Sequence, residues 1–176
     1  MEITQKKHEE LDPTKYFENR KAWIESEYQK GNNPYPHKFS VSISVPELRK
    51  KYVPITKKGE FIETDEVSVA GRVYNIRAQS AGLIFYDIIS DDTKLQIYCA
   101  KQFYTDSSKS FADANENIKR GDYIGVIGHP GRTTGKDAGE FSIRAHTISH
   151  LSYCLHMLPK PESGLKDQET RYRQRY

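Results

Sequence analysis

At Glu66 the apolar period of this chain switches from a helical repeat to two-residue alternation, and everything downstream has to satisfy the new period. Five β-branched runs follow, over residues 67–76, 83–89, 95–99, 122–127 and 140–151. Alternation over such runs sends successive side chains to opposite faces of a sheet. Turn signals separate them: Ser80-Ala81-Gly82, Ser90-Asp91-Asp92, and Gly128-His129-Pro130-Gly131 running on to Gly139 as one loop. Between the third and fourth runs, Phe111, Ala114 and Ile118 fall at helical spacing within residues 107–119. The order is three strands, a helix, then two strands.

A chain of 176 residues has room for one packed core with short appendages. That order in a single core predicts an all-β fold with helical appendages. It is the layout of the five-stranded oligonucleotide/oligosaccharide-binding (OB) barrel with a helix between strands three and four, whose second and third strands and adjoining loops form its usual binding face. Upstream, Asp12-Pro13 reads as an N-cap and first helical residue. Tyr16, Trp23, Ile24 and Tyr28 then recur on one face of an N-terminal amphipathic helix that Gly31 and Pro34 end. Such a stripe docks on a neighbouring surface, and Arg20, Lys21 and Lys30 offer the helix a lesser nucleic-acid reading. A second short helix is predicted over residues 46–52. The expected organisation is a lead-in at 1–11, a helical segment at 12–60, the barrel at 61–155 and a linker at 156–176.

Twenty-seven Lys and Arg against 24 Asp and Glu leave a net charge of +3, too mild to imply a polyanion partner by itself. No run approaches the ~18–20 apolar residues of a membrane helix and the N-terminus lacks a signal's apolar middle, so a cytoplasmic chain with no membrane partner is expected. Cys99 and Cys154 lack Cys-x-x-Cys spacing and fit packing roles as free thiols.

Strand parity identifies the face the barrel turns outward. Ile84, Tyr86 and Ile88 set the inner side of the second strand, leaving Leu83, Phe85 and Asp87 outward. In the third, Leu95, Ile97 and Cys99 point in, so Gln96 and Tyr98 point out. In the fifth, Phe141 and Ile143 point in, placing Glu140, Ser142 and Arg144 outward. The first strand changes parity between Val73 and Ile76, which predicts a bulge and leaves Arg77 outward at the loop toward strand two. An unpaired base can stack on Phe85, and an amide can satisfy both a donor and an acceptor on a base edge. Pattern alone leaves the bland alternative open, with Phe85 half covered and Gln96, Glu140 and Arg77 plain solvated surface. Lys94, Lys101, Lys119, Arg120, Arg132, Lys136 and Arg144 are interleaved with these elements and form a candidate phosphate path.

Catalytic patterns fail. In the Gly-rich stretch from Gly128, Pro130 stands where a phosphate loop needs glycine and Asp137 where it needs Ser or Thr. His146 and His150 stand four apart in a strand-like segment, so no metal site is expected. Asp91-Asp92 reads as a turn.

The C-terminal Gly164-Leu165-Lys166-Asp167-Gln168-Glu169-Thr170-Arg171-Tyr172-Arg173-Gln174-Arg175-Tyr176 closely resembles the junction between the anticodon-binding barrel and the catalytic domain of class II lysyl-tRNA synthetases. Pro34-Tyr35-Pro36-His37-Lys38-Phe39, Val69-Ala70-Gly71-Arg72, Leu83-Ile84-Phe85-Tyr86-Asp87 and Gly139-Glu140-Phe141-Ser142-Ile143 resemble further signatures of that family, closest to its eukaryotic form. The resemblance implies the amino-terminal anticodon-binding domain of an enzyme, usually a homodimer, that ligates lysine to tRNA(Lys) with ATP and Mg²⁺. It places the three catalytic motifs beyond Tyr176, so a fragment without cofactor and without activity of its own is expected. It also assigns tRNA anticodon contacts to Phe85 (stacking), Gln96 and Arg77 (central uridine) and Glu140. Only Lys6 and Lys7 stand where many eukaryotic members carry a lysine-rich extension. A free-standing OB barrel for single-stranded nucleic acid or a protein partner is the competing reading.

Overall fold

The computed structural model describes residues 13–135, 138–159 and 168–173. In chain order the elements are α1 (Pro13–Gln29), α2 (Val45–Tyr52), β1 (Val67–Ser80), β2 (Leu83–Ser90), β3 (Thr93–Ala100), a 3₁₀ turn (Lys101–Phe103), α3 (Phe111–Glu116), β4 (Tyr123–Arg132), β5 (Phe141–Ser152) and α4 (Gln168–Arg173). They fall into two compact units: Asn33–Cys154, and the described residues before and after it.

Within the larger unit the strands close a barrel in the order β1-β2-β3-β5-β4. All pairings are antiparallel except β3 with β5. The inward parity set fills it: Val69, Ile88, Leu95, Ile97, Cys99, Ile124, Val126 and Ile143 are fully buried or nearly so. β1 slips register between Val73 and Asn75, where the parity change predicted a bulge. Asp91 and Asp92 make the two-residue β2–β3 turn with φ of 48° and 54°, the double positive φ of a type I′ hairpin. Cys99 lies under α3, where Tyr86 Oη donates to Asn115 Oδ1 at 2.7 Å and Asn115 Nδ2 to the Phe111 carbonyl at 2.6 Å. Burial pushes the Cys99 thiol up to about 12, so little thiolate forms near neutral pH. In the native protein at pH 8, a maleimide is therefore expected to label half-buried Cys154 and to reach Cys99 only after denaturant is added; equal labelling rates would contradict this.

Three expectations are corrected. Residues 12–60 do not form one segment: the division falls at Asn32/Asn33, because Val45, Leu48 and Tyr52 of α2 join the barrel core. A capping box explains where α2 starts, since Ser44 Oγ accepts from the Glu47 amide and the Glu47 side chain accepts from the Ser44 amide. Second, Gly128–Gly131 is strand, not turn. A Cβ at Gly128 would lie 2.1 Å from the Arg144 carbonyl oxygen and one at Gly131 2.3 Å from that of Glu60. These glycines allow close backbone approach within a sheet. Pro130 is tolerated because its side of β4 needs only its carbonyl, which accepts from the Ile62 amide at 2.9 Å. Third, the predicted helix over 107–119 shortens to α3, and Ile118 reaches the core from the following turn.

The Pro34–Phe39 signature is an anchor for this unit. Phe39 covers Gly125, where an added Cβ would meet its ring at 2.6 Å, and Tyr35 meets Tyr153 edge-on at 5.4 Å.

In the other unit, α1 ends before Gly31, whose φ is +79°. The Asp12 cap and the 1–11 lead-in lie outside the described residues. Tyr28 is 56% exposed, whereas Arg20 and Glu27 are buried with Ile24. At 100° per residue Tyr28 stands about 120° round from Tyr16, while Arg20 and Glu27 stand within about 40° of it. Glu27 holds Lys30 at 2.7 Å and Asn32 at 2.9 Å. Its polar character hid it from an apolar-stripe reading, and Arg20 is not on a surface offered to nucleic acid. Most of the C-terminal signature lies outside the described residues. No helix among those described is long and apolar enough to cross a membrane.

Candidate nucleic-acid interface

Two cross-strand rows build the outer face of β1, β2, β3 and β5. Registers Asn75↔Asp87, Asp87↔Gln96 and Gln96↔Ser142 make one row; Arg77↔Phe85, Phe85↔Tyr98 and Tyr98↔Arg144 make the next. Members of the two rows are two residues apart on each strand and so share a face.

The second row is aromatic with a guanidinium at each end. Phe85 and Tyr98 have ring centroids 5.4 Å apart, and Phe61 stacks on Tyr98 at 6.0 Å. Arg77 Cζ lies 5.7 Å from the Phe85 centroid, and Arg144 Cζ lies 5.0 Å from Phe61 and 4.3 Å from Phe103. The first row is polar and, beyond exposed Asn75, covered: Asp87, Gln96 and Ser142 are 2%, 4% and 0% exposed. Alternation assigned their face correctly, but not the cover that long neighbours and a loop place over them.

That loop, residues 133–140, is pinned at its ends. The Thr133 amide donates to the Glu140 carbonyl at 3.1 Å and the Glu140 amide to Thr133 Oγ1 at 3.2 Å. Gly139 makes the bend at φ +72°, with the Thr133 oxygen 2.0 Å from where a Cβ would sit. Glu140 is thereby set against Gln96, whose Nε2 donates to Glu140 Oε2 at 2.8 Å. Ser142 Oγ donates to Gln96 Oε1 at 2.6 Å. A negative carboxylate accepts and cannot donate, so it fixes which end of the amide faces it.

Arg77, Phe85, Gln96 and Glu140, singled out from the sequence, line one cleft of about 460 Å³ with Tyr98 and the loop residues Thr133, Thr134 and Gly135. Phe85 supplies a half-buried ring, Glu140 an exposed acceptor and Arg77 exposed donors. Arg77 lies within β1 and not at its loop, since β1 runs on to Ser80. Gln96 is a buried strut with one amide proton left over and not the free edge that parity suggested.

The candidate phosphate path divides. The guanidinium of Arg132 donates to the carbonyls of Thr56, Gly139 and Val53 at 3.1, 3.2 and 3.3 Å, bracing the base of the loop. Arg144 is held between Phe61 and Phe103 and paired with Glu63, whose carboxyl it keeps below the usual range by that hydrogen bond. Lys94 pairs with Asp87 at 3.2 Å. Lys101 is exposed beside Tyr98 at a neighbouring cleft, Lys119 is exposed and Arg120 half-buried away from these rows, and Lys136 lies outside the described residues. Asp87 and Ser142 were missed as contributors; the signal that finds them is cross-strand register, which a single sequence does not carry.

His146 Nε2 lies 2.9 Å from Glu66 and His150 Nε2 2.9 Å from buried Asp122, each histidine tied to a carboxylate. Among the described residues no group of three or more His, Cys, Asp or Glu is placed to hold a metal ion.

A closed five-stranded barrel with an aromatic, guanidinium-flanked cleft over β2 and β3 defines an OB-type nucleic-acid-binding domain. Residues 67–151 match the OB-fold nucleic acid binding domain of the tRNA anti-codon family. More specifically, the chain is an anticodon-binding OB domain homologous to those of lysine–tRNA ligases. It is 39% identical over 169 residues to lysine–tRNA ligase cla4 of Cladosporium cladosporioides, covering 94% of this chain and 28% of that relative. It is 32% identical over 168 residues to a probable cytoplasmic lysine–tRNA ligase of Encephalitozoon cuniculi, covering 95% and 31%. For the lysine–tRNA ligase of Thermotoga maritima the values are 33% over 162 residues, 92% and 31%. The chain thus spans less than a third of the length of these relatives.

Proposed function

We propose that this chain recognises the anticodon loop of tRNA(Lys) on behalf of a cytoplasmic, homodimeric lysine–tRNA ligase. The observation that carries the proposal is the convergence of Arg77, Phe85, Gln96 and Glu140 on one cleft. An unpaired base stacks on Phe85, and its edge meets the Glu140 acceptor between donors from Gln96 and Arg77. A donor-acceptor-donor set complements the acceptor-donor-acceptor edge of uracil and mismatches that of cytosine.

The test is binding of a UUU-anticodon stem-loop against one carrying a central cytidine. Wild type is expected to prefer uridine by tenfold or more, and Gln96→Ala to erode that preference by releasing Glu140, at about 1 kcal/mol in stability for the lost buried amide contacts, since the Ser142 hydroxyl keeps the Glu140 carbonyl as an acceptor at 3.1 Å. Equal binding of both stem-loops by wild type would favour a general single-strand binder.

Ligation itself needs ATP and Mg²⁺, and the chain spans less than a third of the lysine–tRNA ligases it matches; we assign both to the parts of the enzyme outside these residues. The purified 176-residue chain is accordingly expected to show no lysine-dependent ATP–pyrophosphate exchange. Measurable exchange would overturn that assignment.

A further inference from the structure

Asp87 shares its face of β2 with Phe85, yet its side chain is only 3% exposed while those of its two cationic partners are 43% and 51% exposed. Oδ1 accepts from Arg77 Nη2 at 3.1 Å, and Oδ2 lies 3.2 Å from Lys94 Nζ, with Asn75 Nδ2 at 3.5 Å. The carboxylate thus grips Arg77 while Arg77 Cζ stands 5.7 Å from the centroid of the Phe85 ring. Two consequences follow from charge and geometry. The guanidinium is held beside the stacking platform rather than out toward phosphates, and one of the two positive charges that Asp87 touches, on Arg77 of the cleft and on Lys94, is cancelled where it would otherwise attract any polyanion.

We propose that Asp87 is a positioning residue for base recognition: it holds Arg77 against Phe85 so that this arginine meets a base edge, and it damps sequence-independent attraction of RNA to the cleft. The proposal rests on the anticodon-loop reading above and adds to it the origin of the selectivity.

The experiment compares UUU and central-cytidine stem-loops across a salt series, with thermal melts. Asp87→Asn keeps the shape and removes the charge. It is expected to lose the uridine preference by about tenfold and to steepen the fall of log K with log salt by about 0.7, the increment for one more phosphate contacted on a single strand. Asp87→Glu keeps the charge but displaces it by a methylene, and is expected to lose preference without changing the salt slope. In an Arg77→Gln background, Asp87→Asn is expected to cost no further preference, because it acts through that arginine. A merely structural aspartate would weaken both stem-loops alike and lower the melting midpoint without steepening the salt slope, and that result overturns the proposal. So does retention of full preference by Asp87→Asn. Indifference of wild type to the central base would sink the anticodon reading instead, and the salt slope of Asp87→Asn would still decide whether Asp87 damps phosphate attraction.

Discussion

Phe85→Ala is expected to lower affinity for the UUU stem-loop by one to two decades while the melting midpoint falls by only a few degrees. The affinity loss is the ~1–3 kcal/mol of a removed stacking platform. The small thermal effect follows from place: Phe85 is half-buried on the outer face, its ring meeting Tyr98 at 5.4 Å, whereas the fully buried residues of β2 are Tyr86 and Ile88. Removing the ring costs one exposed aromatic contact of about 1 kcal/mol and opens no interior cavity. Fluorescence anisotropy and a melt on the same sample check both halves. A loss under threefold would remove Phe85 from the reading surface, and a stability drop of about 3–5 kcal/mol would make it a core residue.

Gly128→Ala is expected to do the opposite, destabilising the barrel by about 3 kcal/mol or more through a single methyl group. Gly128 sits where β4 is paired on both sides, opposite Val67 and Ala145, at a register slip. The added Cβ would stand 2.1 Å from a backbone oxygen of β5, and backbone inside a closed barrel has nowhere to move. Gly135→Ala is the control: its nearest neighbour lies 3.8 Å away, on a cleft wall, so a melting midpoint near that of wild type is expected. Gly128→Ala melting like its control would show that β4 and β5 separate more easily than their pairing implies.

These cases mark how far the sequence could be read. Alternation alone placed Ile88, Leu95, Ile97 and Ile143 inward and Phe85 outward, because a closed barrel preserves parity on every strand. The bulge near Val73 and the Asp91-Asp92 turn were legible for the same local reason. Gly128 and Gly131 misled because glycine marks both turns and close strand approaches, and only the partner strand says which. Arg132 and Arg144 read as free cations because their acceptors come from distant segments: the carbonyls of Val53 and Thr56, and Glu63. The cover over Gln96 was invisible likewise, since Glu140 and Ser142 lie 44 and 46 positions away. Residue types at the cleft were thus readable, while the contacts that orient them needed the fold.

The parallel pairing of β5 with β3 has a consequence for when recognition can arise during synthesis. β1, β2 and β3 form a simple meander that can assemble by local hairpins, but Glu140, Ser142 and Arg144 enter only after α3 and β4 have been made and the chain has crossed back. Long-range pairings of this kind close late, because loop entropy is lost before their contacts are gained. A nascent chain up to β3 therefore displays Phe85 and Tyr98 as bare apolar surface without the strand that gives them chemical discrimination. Stickiness precedes selectivity, and the barrel acquires its reading face only with its final closing strand.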